Sequence, residues 1–101
     1  IFNMEIESGS FIWDLEKESD NINKHRVDFS TACEVFKDPK RKIYIDSKHS
    51  KKENRLFCIG KIGNRVLTVR FTYRGHKIRI FGAGYCRKGE MYYEREDNRF
   101  K

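Results

Sequence analysis

The sequence predicts an α+β domain in which two N-terminal helices pack on one face of an antiparallel β-sheet meander, followed by a short C-terminal helix. The spacing of apolar residues is the main observation. They recur every three to four positions over residues 29–36, as on a buried helix face, and at alternate positions along segments between residues 41 and 83, as on strands. The length of 101 residues suits one domain with one modest core.

The N-terminal part of the chain predicts one short strand and two helices. The strand is FIWD, residues 11–14, and its last residue, Asp14, is a suitable N-cap for the polar helix LEKESDNINKH. A second helix begins after Asp28 and has one apolar face over residues 29–36. Pro39 ends this helix, because the residue before a proline avoids helical backbone angles.

The rest of the chain predicts strands joined by short turns. Apolar and polar residues alternate in four segments, which are residues 41–46, 55–62, 65–73 and 77–83. A charged loop, SKHSKKEN, separates the first two strands, and Gly63-Asn64 and Arg74-Gly75 are the predicted two-residue turns of the later hairpins. The charged segment RKGEMYYEREDNRFK at the end predicts a helix over part of its length.

The hydrophobic pattern predicts how these strands pair, because a slip of one residue would exchange the two faces of the sheet. The predicted core face consists of Leu56, Cys58, Val69, Phe71, Ile78 and Ile80. The opposite face consists of Arg55, Phe57, Arg70, Thr72, Lys77, Arg79 and Phe81. This register places Arg70 directly opposite Arg79, a like-charge pair that is mildly destabilising unless water screens it or an anion binds there.

The mixture of arginines and phenylalanines on that face indicates which anion would bind. Phosphate groups would contact the guanidinium groups, and bases would stack on Phe57 or Phe81, as in the recognition of single-stranded RNA. The alternative is a solvated face with exposed aromatic residues. The pattern favours the first interpretation, because aromatic residues are interleaved with the cations.

Composition narrows the class of partner. The chain has 22 Lys and Arg against 15 Asp and Glu, and this net charge of +7 predicts a nucleic acid, an acidic protein or an anionic membrane as partner. The absence of a long basic amphipathic helix disfavours the membrane. Charge alone is equally compatible with a basic domain that binds no polyanion. Three widely spaced cysteines disfavour a disulfide framework and favour the cytoplasm, and no Cys or His spacing predicts a metal site or a cofactor.

Two ordered patterns carry a resemblance to a known family. The segment FIWDLEKESDNINKHRVDFSTACEVFKDP resembles the opening of BrnT-type toxins, F-x-W-D-x-x-K-x-x-x-N-x-x-K-H-x-V-x-F-x-x-A-x-x-V-F-x-D-P. DSKHSKKENRLFCIG and TYRGHKIRI resemble later family patterns, so the resemblance covers residues 11–94. We therefore expect residues 4–101 to form a single BrnT-like toxin domain, with residues 1–3 as an upstream extension or residues added for expression.

The resemblance implies a RelE/ParE-like fold and a type II toxin–antitoxin role. It implies a ribonuclease that inhibits translation and that a BrnA-type antitoxin neutralises, in a heterotetramer that binds operator DNA through the antitoxin. One departure concerns Gly84, which occupies the position of an arginine in the family's I-S-A-R motif. Activity is then expected to be weak, altered in target, or supported instead by Arg87.

The implied chemistry is attack of an RNA 2′-hydroxyl on the adjacent phosphate without a metal. This reaction needs a base, an acid for the leaving oxygen, and cations for the developing charge. We expect Arg55, Arg74 and Arg79 to supply the cations, because they match family motif positions. We expect His49 and Glu53 to supply the acid and base, although a surface histidine and an ion pair between Glu53 and Arg55 are the alternatives.

The remaining predicted RNA contacts are Arg70, Lys77, Phe57, Phe81, Arg87 and Lys88. Two other functions stay open at this point. The domain would bind nucleic acid without cleaving it if Gly84 has removed the activity. It would be a protein-interaction domain if the basic face binds only an acidic partner. Toxicity on expression, and RNA binding without cleavage, distinguish these possibilities.

Overall fold

A computed structural model describes residues 4–95, which form a six-stranded mixed sheet with helices on both faces. The strands are β1 (Glu5–Ser8), β2 (Phe11–Asp14), β3 (Lys42–Ile45), β4 (Leu56–Ile62), β5 (Arg65–Arg74) and β6 (Lys77–Gly84). The α-helices are α1 (Leu15–His25), α2 (Phe29–Cys33) and α3 (Arg87–Glu94), with 3-10 helices at Glu34–Lys37 and Ser47–His49. Residues 1–3 and the predicted tail at 96–101 lie outside the described residues.

The sheet order corrects part of the predicted layout. The strands lie in the order β1-β2-β6-β5-β4-β3, and the antiparallel meander of β3 to β6 is as predicted. However, β2 pairs with β6 in parallel, and the β1–β2 hairpin precedes the helices. The class is therefore α+β, but the sheet is mixed and its strands come first. β1 was not predicted, because its sequence EIES contains one apolar residue and no alternating pattern.

The helix starts follow the predicted capping. Oδ1 of Asp14 accepts a hydrogen bond of 2.8 Å from the amide of Glu16, and Oδ1 of Asp28 accepts one of 2.7 Å from the amide of Thr31. Arg26 adopts a left-handed conformation with φ 60°, which ends α1. The second predicted helix is α-helical only over Phe29–Cys33 and continues as the 3-10 helix Glu34–Lys37.

The core lies between the sheet and α1, α2 and the first 3-10 helix. Its fully buried side chains include Phe29, Val35, Val69, Phe71 and Ile80. Each such side chain contributes about 1.5–3 kcal/mol relative to an exposed one. These residues define the core face of the sheet, and we call the opposite side the outer face.

A buried asparagine joins α1 to β6 beyond the end of β2. Nδ2 of Asn21 donates to the carbonyl oxygens of Val27 at 3.0 Å and Ala83 at 2.9 Å, and its Oδ1 accepts from the amide of Ala83 at 3.1 Å. The side chain thus replaces a neighbouring strand at this part of β6, because it pairs with both backbone groups of Ala83. This contact fixes the C-terminal half of β6, which contributes Phe81 and Gly82 to the candidate site.

The two hairpin registers were predicted with different success. The β4–β5 pairs Cys58 with Val69 and Leu56 with Phe71 are confirmed. The β5–β6 register is shifted by two residues, because the turn is Gly75-His76 and Gly75 supplies the left-handed angle, φ 58°. A shift of two residues preserves the faces, so Ile80 stays in the core, now opposite Phe71.

A β-bulge corrects the predicted pairing of two arginines. The register changes between Arg70 and Phe71, which leaves Phe81 without a partner in the β5–β6 ladder. Arg70 therefore lies opposite Gly82, and Arg79 lies opposite Thr72. The predicted like-charge pair of Arg70 and Arg79 is wrong for this reason.

The outer face is partly covered by α3. Gly89 lies so close to β5 that a Cβ atom there would stand 2.1 Å from Oγ1 of Thr68. Tyr93 anchors the helix from its other end, because its hydroxyl donates to Oδ2 of Asp38 at 2.6 Å. This hydrogen bond raises the pKa of Tyr93 to about 12. Over residues 4–95, no helix has the length and apolar character that crossing a membrane requires.

Candidate nucleic-acid interface

Arg70 forms the centre of the exposed part of the outer face. Its guanidinium group lies against Gly82, where a Cβ atom would stand 2.6 Å from Nη2 and 3.1 Å from Nε. Only glycine at position 82 leaves room for this arrangement. Across residues 4–95, no carboxylate lies within salt-bridge distance of Arg70, so its N–H groups are available to an anion.

Arg55 lies beside this group, immediately before β4. Its Cζ atom is 4.3 Å from the ring centroid of Phe81, the residue that the bulge adds to β6. Such a cation–π contact orients the guanidinium without using its hydrogen-bond donors. The bulge therefore places two guanidinium groups over consecutive residues of β6, Phe81 and Gly82.

Glu53 is shared between two arginines. Its carboxylate oxygens lie 3.6 Å from Nη2 of Arg55 and 3.4 Å from Nη2 of Arg74. The predicted ion pair with Arg55 is thus present, and Arg74 joins it. Both contacts are longer than an optimal charge-assisted hydrogen bond, so the two arginines keep donors for a further anion.

His49 is held next to Arg55 by the loop between β3 and β4. Nδ1 of His49 lies 2.8 Å from Oδ2 of Asp46, whose own amide donates to the carbonyl oxygen of Arg55 at 2.7 Å. Ser50 closes the loop, because its Oγ accepts from the amide of Arg55 at 3.0 Å and donates to the carbonyl oxygen of Asp46 at 2.6 Å. Asp46 thus orients the imidazole and leaves Nε2 on the opposite ring edge.

The other predicted cations, Arg79 and Lys77, are already paired. Nη1 of Arg79 lies 2.5 Å from Oε2 of Glu5, and only 13% of the Arg79 side chain is exposed. Nζ of Lys77 lies 2.7 Å from Oε1 of Glu7, and this contact lowers the pKa of the Glu7 carboxyl below its ordinary value. Both glutamates come from β1, so an anion on this side of the face would compete with them for these cations.

The start of α3 supplies the remaining predicted cations. Arg87 and Lys88 are exposed there, and Nζ of Lys88 lies 6.0 Å from the ring centroid of Tyr92. Gly84 ends β6 beside α1, where a Cβ atom would lie 3.4 Å from Nδ1 of His25. A side chain at position 84 would therefore start next to His25.

The structure brings five of the eleven predicted residues together and adds four that the sequence analysis did not identify. Arg55, Arg70, Phe81 and the loop residues His49 and Glu53 form one group, whereas Arg79 and Lys77 belong to another. The four additional residues are Asp46, Gly82, Glu5 and Glu7. The sequence could have indicated Asp46, because it stands three residues before His49 in a segment of turn-forming residues. That spacing allows its carboxylate to contact the histidine ring. Within residues 4–95, no three His, Cys, Asp or Glu side chains cluster closely enough to hold a metal ion.

Comparison with known proteins defines the class. A model for ribonuclease toxins of type II toxin–antitoxin systems matches residues 13–90. The chain belongs to this family, the BrnT toxins. No curated protein matches the chain at a significant level. The matched segment contains β3 to β6 and the arginine group, while β1 precedes it.

Proposed function

We propose that this BrnT-family protein cleaves RNA on its outer face without a metal, thereby inhibiting translation, and that a BrnA-type antitoxin neutralises it. The observation that carries this proposal is the pair of guanidinium groups of Arg70 and Arg55, held over Gly82 and Phe81. A phosphate bound between them would meet several N–H donors at once. Phosphoryl chemistry depends mainly on such fixed positive charge.

The reaction would follow from the groups around this phosphate. A base removes the proton from the 2′-hydroxyl, the oxygen attacks the adjacent phosphorus, and the bond to the 5′-oxygen of the next nucleotide breaks. The products are a 2′,3′-cyclic phosphate and a 5′-hydroxyl, so atoms and charge balance without a metal. In this scheme Glu53 is the base, and His49, whose ring is oriented by Asp46 at 2.8 Å, protonates the leaving oxygen.

The other predicted residues have supporting positions. Arg74 shares Glu53 and would contribute charge beside the phosphate. We assign Arg79, Lys77, Arg87 and Lys88 to contacts with flanking phosphates, and Phe57 and Phe81 to stacking with bases. The antitoxin would cover this face in the cytoplasm, and a heterotetramer of the two proteins would bind operator DNA through the antitoxin. Family membership alone supports the partner and the operator.

Two matched variants test the proposal. Arg55→Ala removes an arginine whose Cζ lies 4.3 Å above Phe81, and Arg65→Ala removes one whose Cζ lies 3.7 Å above Tyr85, away from the site. Both variants lose one charge and one cation–π contact. We expect Arg55→Ala to reduce RNA cleavage in EDTA by about 10²–10³-fold and to abolish toxicity on expression. Equal cleavage by the two variants would refute the assignment of the site.

A second function is favoured by Gly84. If the family arginine at this position is indispensable, the outer face binds RNA without cleaving it. The same assay separates the two functions, because a silent domain retains salt-dependent RNA binding while no 2′,3′-cyclic phosphate forms. Gly84→Arg would then create cleavage, whereas it should change little if the residues around Arg55 suffice.

A further inference from the structure

A cavity lies close to Arg55 and Arg70, and the proposed phosphate contacts assign no role to it. It lies between α3 and the outer face of β3, β4 and β5, and its volume is about 270 Å³. Tyr44, Phe57 and Tyr92 line it with aromatic rings, and Thr68, Cys86 and Lys88 are its polar lining residues. It is smaller than the sites of drug-sized ligands. A single flat ring system matches this volume and these walls.

The cavity adjoins the phosphate site through the strand register. Phe57 of β4 pairs directly with Arg70 of β5, so one wall of the cavity comes from the residue next to Arg70 on the neighbouring strand. Tyr44 pairs with Phe57 from the other side, and its ring lies 5.1 Å from that of Tyr92 at an angle of 54°. A nucleotide with its phosphate on Arg70 would thus have aromatic surfaces within reach of its base.

We propose that this cavity binds one unstacked base of the RNA whose phosphate lies on Arg70 and Arg55. The inference rests on the proposed function, because it requires RNA on the outer face. Aromatic walls give the base a stacking surface that does not depend on its identity. Lys88 also lines the cavity, and its ammonium group is a hydrogen-bond donor for the edge of the base.

One cysteine provides a selective chemical probe of the cavity. Burial raises the pKa of Cys33 to about 11 and that of Cys58 to about 12, so neither forms an appreciable amount of thiolate at neutral pH. Cys86 is exposed and lines the cavity. N-ethylmaleimide at neutral pH should therefore modify Cys86 and fill part of the space that a base would occupy.

The experiment compares two ligands with equal charge. One is a short 2′-O-methyl oligoribonucleotide, which lacks the attacking hydroxyl, and the other is its abasic counterpart with the same number of phosphates. The unmodified protein should prefer the first ligand by about 5- to 150-fold, the range that one stacked base contributes. N-ethylmaleimide should remove this preference, and Cys86→Ser should prevent the effect of the reagent.

Phe57→Leu is an independent test, because it keeps an apolar side chain at this position but removes an aromatic wall of the cavity. Tyr73→Leu is its control, since Tyr73 is an exposed aromatic residue outside the cavity lining. The preference should fall in Phe57→Leu and persist in Tyr73→Leu, with melting temperatures measured for both. If Phe57→Leu does not fold, the N-ethylmaleimide comparison decides.

The outcomes separate this inference from the proposed function. If Arg70→Ala weakens both ligands while the base preference survives modification of Cys86, RNA binds the outer face but the cavity does not hold a base. If Arg70→Ala weakens neither ligand, the RNA surface itself is misassigned. If modification leaves the base preference intact and prevents binding of the antitoxin, the cavity belongs to the protein partner, and the inference is overturned.

Discussion

The two sides of the outer face carry similar numbers of cations but expose them differently. On the β1 side, Arg79 and Lys77 face Glu5 and Glu7 at 2.5 and 2.7 Å. On the β4–β5 side, Arg70 lies over Gly82, a residue without a side chain. Which of these cations could bind an anion therefore depends on whether a carboxylate already pairs with it, and the count of basic residues does not decide it. A net charge of +7 describes the chain, and it does not locate the site.

The two ion pairs on the β1 side also differ from each other. The Glu7–Lys77 pair is solvent-exposed, and exposed pairs of this kind contribute little to stability because water and salt screen them. The Arg79 side chain is 13% exposed, so loss of Glu5 would leave a largely desolvated charge without its partner. Since β1 precedes the matched residues 13–90, this neutralisation comes from outside the segment that defines the family.

The largest expected effect concerns His49 and Glu53, the proposed acid and base beside Arg55. His49→Ala and Glu53→Gln should each slow RNA cleavage by about 10²–10⁴-fold while RNA affinity changes much less. Single-turnover cleavage and equilibrium binding with a 2′-O-methyl ligand measure the two quantities separately. Asp46→Asn tests the positioning of His49, because it should slow single-turnover cleavage less than His49→Ala does and leave RNA affinity unchanged. Unchanged cleavage in both His49→Ala and Glu53→Gln would leave the chemistry to the arginines.

Gly82→Ala should displace the guanidinium group of Arg70 from its position against β6. The new Cβ atom would stand 2.6 Å from Nη2 of Arg70, and the flexible guanidinium must move away, so the fold should persist while cleavage falls by about 10²-fold. A double-mutant cycle provides the control. Gly82→Ala should have no further effect in an Arg70→Ala background, because the group that it displaces is already absent. Additive losses would show that Gly82 acts independently of Arg70.

The salt dependence of RNA binding should differ between a cation on the β4–β5 side, Arg70, and one on the β1 side, Arg79. Arg70→Ala should reduce the log–log salt slope by about 0.7, the value for one lost phosphate contact on a single strand. Arg79→Ala should reduce it by less, since Glu5 already neutralises Arg79. The measurement is the dissociation constant over a salt series for both variants. Equal reductions would mean that RNA displaces β1 from Arg79 during binding.

The smallest effect is expected from removal of the Glu7 charge on β1. Glu7→Gln should strengthen RNA binding by a few-fold at low salt, because it leaves Lys77 without its exposed partner and the gain is screened as salt rises. Glu16→Gln is a suitable control, since Glu16 is an exposed acid in the first turn of α1. Identical affinities for the two variants at low salt would exclude a competing role for β1.

The parts of the fold that depend on local signals were predictable. Asp14 and Asp28 cap their helices as expected, because an N-cap acts on amides two or three residues away. The β4–β5 register was also predictable, since Gly63 and the apolar alternation agree on it. The β5–β6 register was shifted because Gly75 can stand first or second in a two-residue turn, and the strand faces are the same in both cases.

The candidate site was predictable only as a face. Alternation placed Arg55 and Arg70 on the side opposite the core, but it contained no information about their partners. The pairing of Arg79 with Glu5 depends on β1, which lies far away in the chain and has no strand signal. The position of Arg70 over Gly82 depends on a bulge, which makes Phe81 an extra residue in β6 and shifts the pairing of the residues after it by one.

The parallel pairing of β2 with β6 also sets an order of events during protein synthesis. Residues 11–13 leave the ribosome well before their partners, residues 78–80, are made. Before β6 is made, the side chain of Asn21 lacks its hydrogen-bond partner Ala83. The core residues of α2 likewise lack the strand residues against which they pack. Contacts between such distant segments form late, because the loop must close first. The nascent chain therefore cannot complete its sheet, or the core that the sheet covers, until β6 is translated.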